Sequence, residues 1–189
     1  MNISAVLLAG GESRRMGEEK TTLLFRGKQL WQTQLDVLRK LNTAELFVSA
    51  RADPAWRPAD VKLVADDPPS RGPMSGLAAA LAQMRTKHLL ALAIDMPFIT
   101  EAYLEFLCDQ IEPGRGVIPK IDDCFEPLAA IYPREVRADV RSALLGKDFS
   151  LQTLARRLAA EGKLRVTVVT SLKKELFLNL NEPSDLTAL

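Results

Sequence analysis

The chain reads as an α/β protein: a single three-layer α/β/α, Rossmann-like domain on an open, twisted, mostly parallel sheet. Three observations predict this. Short apolar runs alternate with amphipathic stretches along the whole length, the pattern of strands separated by helices on both faces of one sheet. The most apolar run, residues 89–94, has the character of a strand buried on both faces, so it belongs at the centre. No internal repeat, low-complexity tract or linker breaks the sequence, so residues 1–189 are expected to form one domain.

Residues 3–8 form a short apolar run that stops at Ala9-Gly10-Gly11, a buried first strand, and a polar loop follows to about Gly27. Leu30, Trp31, Leu35, Leu38 and Leu41 repeat at helical spacing over 30–41. Residues 45–50 and 61–65 read as strands, with Pro54 and Pro58 in the loop between them. After a proline-rich loop over 66–73, residues 75–84 form a helix of small residues. Beyond the central strand, Thr100 suits an N-cap for a helix carrying Tyr103, Leu104, Phe106 and Leu107. Residues 116–121 and 127–132 are weaker strands, because Pro119 and Pro127 intrude. Two helices over 136–145 and 151–161 are split by Gly146. A β-branched strand covers 164–169, a short extended piece 177–180, and a helical turn 183–189.

Bulk composition excludes several classes. Lys and Arg total 25 against 24 Asp and Glu, a net charge of +1, without the basic excess of a nucleic-acid binder. The two cysteines, Cys108 and Cys124, form no CxxC pair, so neither a zinc knuckle nor a disulfide framework is expected. No basic stretch precedes the first apolar run, and no run approaches the ~20 apolar residues that span a bilayer. A cytoplasmic protein with reduced thiols and no membrane partner is the expectation.

The chemistry concentrates in four segments. Leu8-Ala9-Gly10-Gly11-Glu12-Ser13-Arg14-Arg15-Met16-Gly17-Glu18-Glu19-Lys20 leaves the carboxyl end of the first strand, where open α/β sheets bind ligands. Paired glycines let amide N–H groups approach phosphate oxygens, and Arg14, Arg15 and Lys20 cluster positive charge beside them. The spacing is neither a Walker A loop nor a Gly-x-Gly-x-x-Gly fingerprint. The second segment, Asp66 to Gly76, is a rigid proline loop running into a helix N-terminus, a place that favours polar or anionic groups. The third is Asp95-Met96-Pro97, a carboxylate directly after the central strand. Buried there, it asks for a pairing charge or a metal, and a hard oxygen ligand suits Mg²⁺. In the fourth, Asn179 and Asn181 fall on one side of an extended strand and offer amides that both donate and accept.

The pattern Leu-Ala-Gly-Gly-x-Ser-x-Arg-Met-Gly-x-x-Lys resembles the signature of NTP-dependent nucleotidyltransferases, above all the molybdenum cofactor guanylyltransferases and their cytidylyltransferase relatives. Glu19 stands where that family usually has Asp, with the charge kept. The Asp66 segment, Asp95-Met96-Pro97 and the Asn179-Leu180-Asn181 ending are similar to further family segments, so the resemblance spans nearly the whole chain. It implies that Leu8, Ala9 and Gly10 contact the nucleotide, with Gly11, Arg15 and Lys20 around its phosphates. It places Asp66 or Asp67, with Gly72, at the guanine and ribose, and gives Mg²⁺ and the phosphates to Asp95. The acceptor falls to Asn179 and Asn181, with Glu126 and Pro127 nearby. Lys20, Asp95 and Arg15 are then the catalytic set. The implied reaction moves GMP from GTP to the terminal phosphate of molybdopterin. CTP as donor, or a sugar- or lipid-precursor phosphate as acceptor, stays open. Implied partners are GTP, molybdopterin or the molybdenum cofactor, and other cofactor-synthesis or molybdoenzyme chaperone proteins.

Overall fold

A computed structural model describes residues 2–10, 23–66 and 69–180. Its main sheet follows the order β10-β7-β9-β6-β1-β4-β5, with β8 pairing β7. The strands are β1 (Ser4–Leu8), β4 (Glu45–Ala50), β5 (Lys62–Ala65), β6 (His88–Ala93), β7 (Gly116–Ile121), β8 (Cys124–Phe125), β9 (Ala129–Pro133) and β10 (Leu164–Val168). Two more, β2 (Leu24–Phe25) and β3 (Lys28–Gln29), form a separate hairpin. Parallel pairing joins β1 to β4 and β6, β4 to β5, and β7 to β10. The sheet is therefore mostly parallel and open, and β6, buried at every position, lies at its middle.

Helices cover both faces. Leu30, Leu35 and Leu38 of α1 (Leu30–Lys40) and Tyr103, Leu104 and Leu107 of α3 (Glu101–Cys108) are buried on one face. Met74, Leu77 and Leu81 of α2 (Pro73–Gln83), Val140 of α4 (Arg137–Leu145), and Leu154 and Leu158 of α5 (Leu151–Ala160) are buried on the other. Because β1 and β6 touch both layers, their side chains are apolar at odd and even positions alike. Local chemistry sets the helix starts. The Thr100 side chain accepts from the Tyr103 N–H at 3.3 Å, and Ser150 accepts from Thr153 at the same distance. Before α2, Pro73 opens the first turn and Gly72 sits at φ +67°, a backbone region closed to most side chains.

The structure departs from the sequence reading in three places. The polar loop before α1 contains the β2–β3 hairpin, whose two-residue turn takes Arg26 and Gly27 at φ 50° and 79°, the left-handed pair that matches strand twist. The strand expected over 127–132 begins only at Ala129, because Pro127 has no N–H for the ladder. It runs antiparallel to β6 and β7, returning from the β7–β8 hairpin. The extended piece expected over 177–180 is not a strand: Phe177 closes a 3-10 helix, Ser171–Phe177, and Leu178–Leu180 pair with no ladder. The helical turn expected over 183–189 lies outside the described residues. Among those described, no helix is long and apolar enough to cross a membrane.

Close packing at Gly116 sets up a direct test of the sheet. A Cβ there would meet the Ile131 carbonyl oxygen at 2.0 Å, a backbone atom that cannot turn aside. Gly116→Ala should cost about 1–3 kcal/mol of stability, the usual range for overpacking, read as a lower urea midpoint with an unchanged slope.

Candidate active site

The chain passes from β1 to β4 to β5 on one flank and then returns to lay β6 on the other flank of β1. Crossovers therefore diverge between β1 and β6. At such a switch point the loops at the carboxyl ends splay apart and leave a crevice for a ligand. Leu8-Ala9-Gly10 and Asp95 stand at its two lips. The Ile94 N–H donates to the Leu8 carbonyl at 3.3 Å, and the Ala9 N–H donates to the Ser49 carbonyl at 2.9 Å. Leu8 itself is buried, with its side chain against α2 beside Gly76, so it offers the crevice backbone rather than side chain. Gly11, Arg15 and Lys20, which complete this loop, lie outside the described residues, as do Arg14 and Asp67.

Asp66 occupies the β4–β5 flank. It is 7% exposed, and both carboxylate oxygens are engaged: Ser49 Oγ donates to Oδ1 at 3.0 Å and Ser70 Oγ to Oδ2 at 2.9 Å. A Cβ on Gly10 would lie 3.4 Å from Oδ2, so the first-strand loop runs directly past this carboxylate. Gly76 makes the arrangement possible, since a Cβ there would fall 2.1 Å from Ser49 Oγ. Gly72 sits at the start of α2, where the Ser75 hydroxyl accepts from the Arg71 N–H at 2.8 Å. Asp66 and Gly72 thus share one wall, and Ser49 and Ser70 are additions that the sequence reading did not assign. Ser49 falls in a buried strand, and no periodicity marks a residue that bonds to one 17 positions away.

The other flank is built from β6, β9 and the chain's later segments. The Ala93 N–H donates to the Leu128 carbonyl at 2.8 Å, which brings Glu126-Pro127-Leu128 beside the end of β6. Asn179 is exposed and precedes Leu180, whose N–H donates to the Asp95 carbonyl at 2.8 Å. The structure therefore brings Asn179 to the segment carrying Asp95, while Asn181 lies outside the described residues. Glu126 is half-buried, and burial pushes its carboxyl up to about 7.

His88, the single histidine, and Cys108 are structural. His88 is buried, with Nε2 3.2 Å from the Arg115 carbonyl oxygen. Cys108 is buried in α3, and burial, with the charges of Asp109 and Glu105, pushes its thiol up to about 12, which leaves it unreactive. Among the described residues no group of three or more His, Cys, Asp or Glu side chains converges as a metal cluster.

Comparison with known proteins gives one result. A family model of the MobA-like NTP transferase domain matches residues 5–165. A protein of Opitutus terrae named probable molybdenum cofactor guanylyltransferase is 34% identical over 186 residues, covering 97% of this chain and 92% of its own. The molybdenum cofactor guanylyltransferase of Syntrophotalea carbinolica is 31% identical over 188 residues, covering 96% of this chain and 88% of its own. Among solved structures, molybdopterin-guanine dinucleotide biosynthesis protein A from Archaeoglobus fulgidus superposes with a TM-score of 0.79 at 27% identity, covering 98% of this chain and 95% of that one.

The raised carboxyl of Glu126 has a signature in stability. Between its ordinary value of 4.5 and about 7 the folded chain holds a proton there that the unfolded chain releases. Stability therefore falls as pH rises through that window. Glu126→Gln cannot ionise, so its melting temperature should fall less than the parent's across the window. Parallel pH–stability curves for the two proteins would contradict this assignment.

Proposed function

The chain belongs to the MobA-like NTP transferase family and is a nucleotidyltransferase, and on that premise we propose that it transfers GMP from GTP to the terminal phosphate of molybdopterin. The observation that carries this reading is the crevice between β1 and β6, with the backbone of Leu8, Ala9 and Gly10 on one lip and Asp95 on the other. The names of the relatives support the choice of substrates.

Asp66 supports guanine as the base. Two hydroxyls donate to its oxygens, which fixes the carboxyl as an acceptor. Guanine presents adjacent N–H and NH₂ donors on its Watson–Crick edge, a match for two carboxylate oxygens. Cytosine sets a ring acceptor beside its NH₂ and would face the carboxylate with a lone pair. The glycines of the first-strand loop let backbone N–H groups reach the phosphates, and Arg15 and Lys20 add positive charge there. Asn179 and Asn181 serve the acceptor with amides that donate and accept.

In the reaction a terminal phosphate oxygen of the acceptor attacks the α-phosphorus of GTP in line. A new P–O bond forms, the bond to the β-phosphate bridging oxygen breaks, and pyrophosphate leaves with its electron pair. A phosphate is already anionic near neutral pH, so no strong base is required, and the chain contributes by positioning and by charge. Lys20 and Arg15 neutralise charge on the departing pyrophosphate. Asp95 fits a site for Mg²⁺, an ion that takes one or two protein carboxylates and completes its shell with phosphate oxygens and water. When bound, Mg²⁺ supplies further charge neutralisation between the phosphates.

Incubation with Mg²⁺, molybdopterin and each of the four NTPs separately should give pyrophosphate and dinucleotide product with GTP alone; CMP incorporation instead would refute the guanine assignment. Lys20→Ala should weaken GTP binding and lower kcat by about 10²–10³-fold, the usual cost of removing one group that stabilises transition-state charge. Asp95→Ala should remove Mg²⁺-dependent transfer while circular dichroism and melting temperature show the fold retained. Unimpaired Mg²⁺-dependent turnover in that variant would disprove the role of Asp95.

A further inference from the structure

The loop that carries Asp66 also carries a cation that no carboxylate neutralises among the described residues. Arg71 is exposed and follows Ser70, whose hydroxyl bonds Asp66. Its backbone N–H donates to Ser75 Oγ at 2.8 Å, while its guanidinium enters no hydrogen bond or ion pair with another described residue. What holds the guanidinium is an aromatic face: Cζ lies 4.5 Å from the centre of the Phe149 ring. An arginine paired with a carboxylate spends its in-plane N–H fork on that partner. One stacked on a ring is held through its face, and the donors at its edge stay open.

Phe149 belongs to the turn between α4 and α5, and the topology carries that turn to the carboxyl edge of the sheet. α4 begins at the opposite edge, where Arg137 Nε donates at 2.8 Å to the Leu81 carbonyl near the end of α2. It climbs to the carboxyl edge, and α5 descends from there into β10, which runs parallel to β7. α2 starts at the carboxyl edge after β5, so its first turn and Phe149 meet above the same end of the sheet. The turn is firmly held. The Ser150 N–H donates to Asp148 Oδ1 at 2.8 Å, and the Gln152 side chain bonds both the N–H and the carbonyl of Phe125, at 3.0 and 2.6 Å. The backbone after Arg71 is set by Gly72 at φ +67° and by Pro73. A charged fork anchored at both ends, next to the wall that holds Asp66, is placed to take two adjacent acceptors from outside the chain.

We propose that Arg71 is a specificity-determining residue for the donor nucleotide, its fork closing on O6 and N7 of a guanine ring, with Phe149 as the residue that positions it. This rests on the guanine reading and adds the second edge of the base. On the Watson–Crick side, Asp66 takes the N–H and NH₂ donors. O6 lies next to that N–H and N7 next to O6, two adjacent acceptors that an arginine engages with two bonds. Adenine puts an amino group where guanine has O6, so donor would face donor, and the pyrimidines have no N7. A carboxylate and a guanidinium from one loop thus read donors and acceptors on one base.

Calorimetric binding of GTP and of 7-deaza-GTP, which replaces N7 by a carbon, tests the contact in the presence of Mg²⁺. The parent should bind 7-deaza-GTP about tenfold more weakly than GTP. Arg71→Ala should bind GTP about tenfold or more weakly, the scale of one bidentate pair at a base edge, and should lose nothing further with 7-deaza-GTP, because the two changes remove the same bond. Arg71→Lys keeps the charge without the fork and should resemble Arg71→Ala. Phe149→Leu should weaken GTP severalfold and leave 7-deaza-GTP unchanged, which a merely structural role for the ring would not do. Equal affinity of the parent for the two nucleotides would overturn the contact, as would equal losses on both in Arg71→Ala. Full rescue by lysine would also overturn it, since that is what a cation serving a phosphate gives. In each of those cases a preference for GTP over the other NTPs leaves the guanine reading standing; a parent that prefers CTP would overturn that reading and the role of Arg71 with it.

Discussion

The position of every group in the crevice derives from β1, which is hydrogen-bonded along its length to β4 on one side and β6 on the other. Its five residues are buried, so they cannot shift to suit a ligand. What can vary is the backbone beyond Leu8, where the ladder ends and a single N–H, that of Ala9, still reaches across to Ser49. The fold therefore supplies a rigid rail, and the chemistry begins where the rail runs out. Glycine at 76 belongs to the same constraint, because α2 approaches β4 so closely that only a hydrogen fits beside Ser49.

Much of this was legible in the sequence, for physical reasons that also explain the rest. Parallel strands covered on both faces must be apolar at consecutive positions, so β1 and β6 announce themselves as runs. Thr100 marks a helix start because a free N–H needs an acceptor. Asp66 and Asp95 stand out as carboxylates placed just past strand ends. Ser49 does not, since its value lies in a bond to a residue on another strand, and a hydroxyl in an apolar strand is unremarkable by pattern. Tyr103 is hidden for a similar reason: on α3 it occupies an apolar face, and only the fold reveals that its hydroxyl has no hydrogen bond among the described residues. The β8–β9 interruption was visible as Pro127, but its effect on direction depends on the hairpin before it.

Polar satisfaction differs across the two halves of the carboxyl edge. Around Asp66 each carboxylate oxygen already has a hydroxyl donor, so the ligand-free chain is content and the group is held in one orientation. Beside the end of β6 the backbone of residues 126–129 is tied down, while the buried Tyr103 hydroxyl has no hydrogen bond among the described residues. Local conflict of that kind is where proteins trade stability for function. The Asp66 half is set before any ligand arrives.

The bond from Leu180 to the Asp95 carbonyl ties the far end of the described chain to the middle of the crevice. During synthesis on the ribosome β1, β4, β5 and β6 emerge before Leu180 and can pair first, while this contact must wait for it. A nascent chain can thus own the whole rail before the strand end at Asp95 gains this bond.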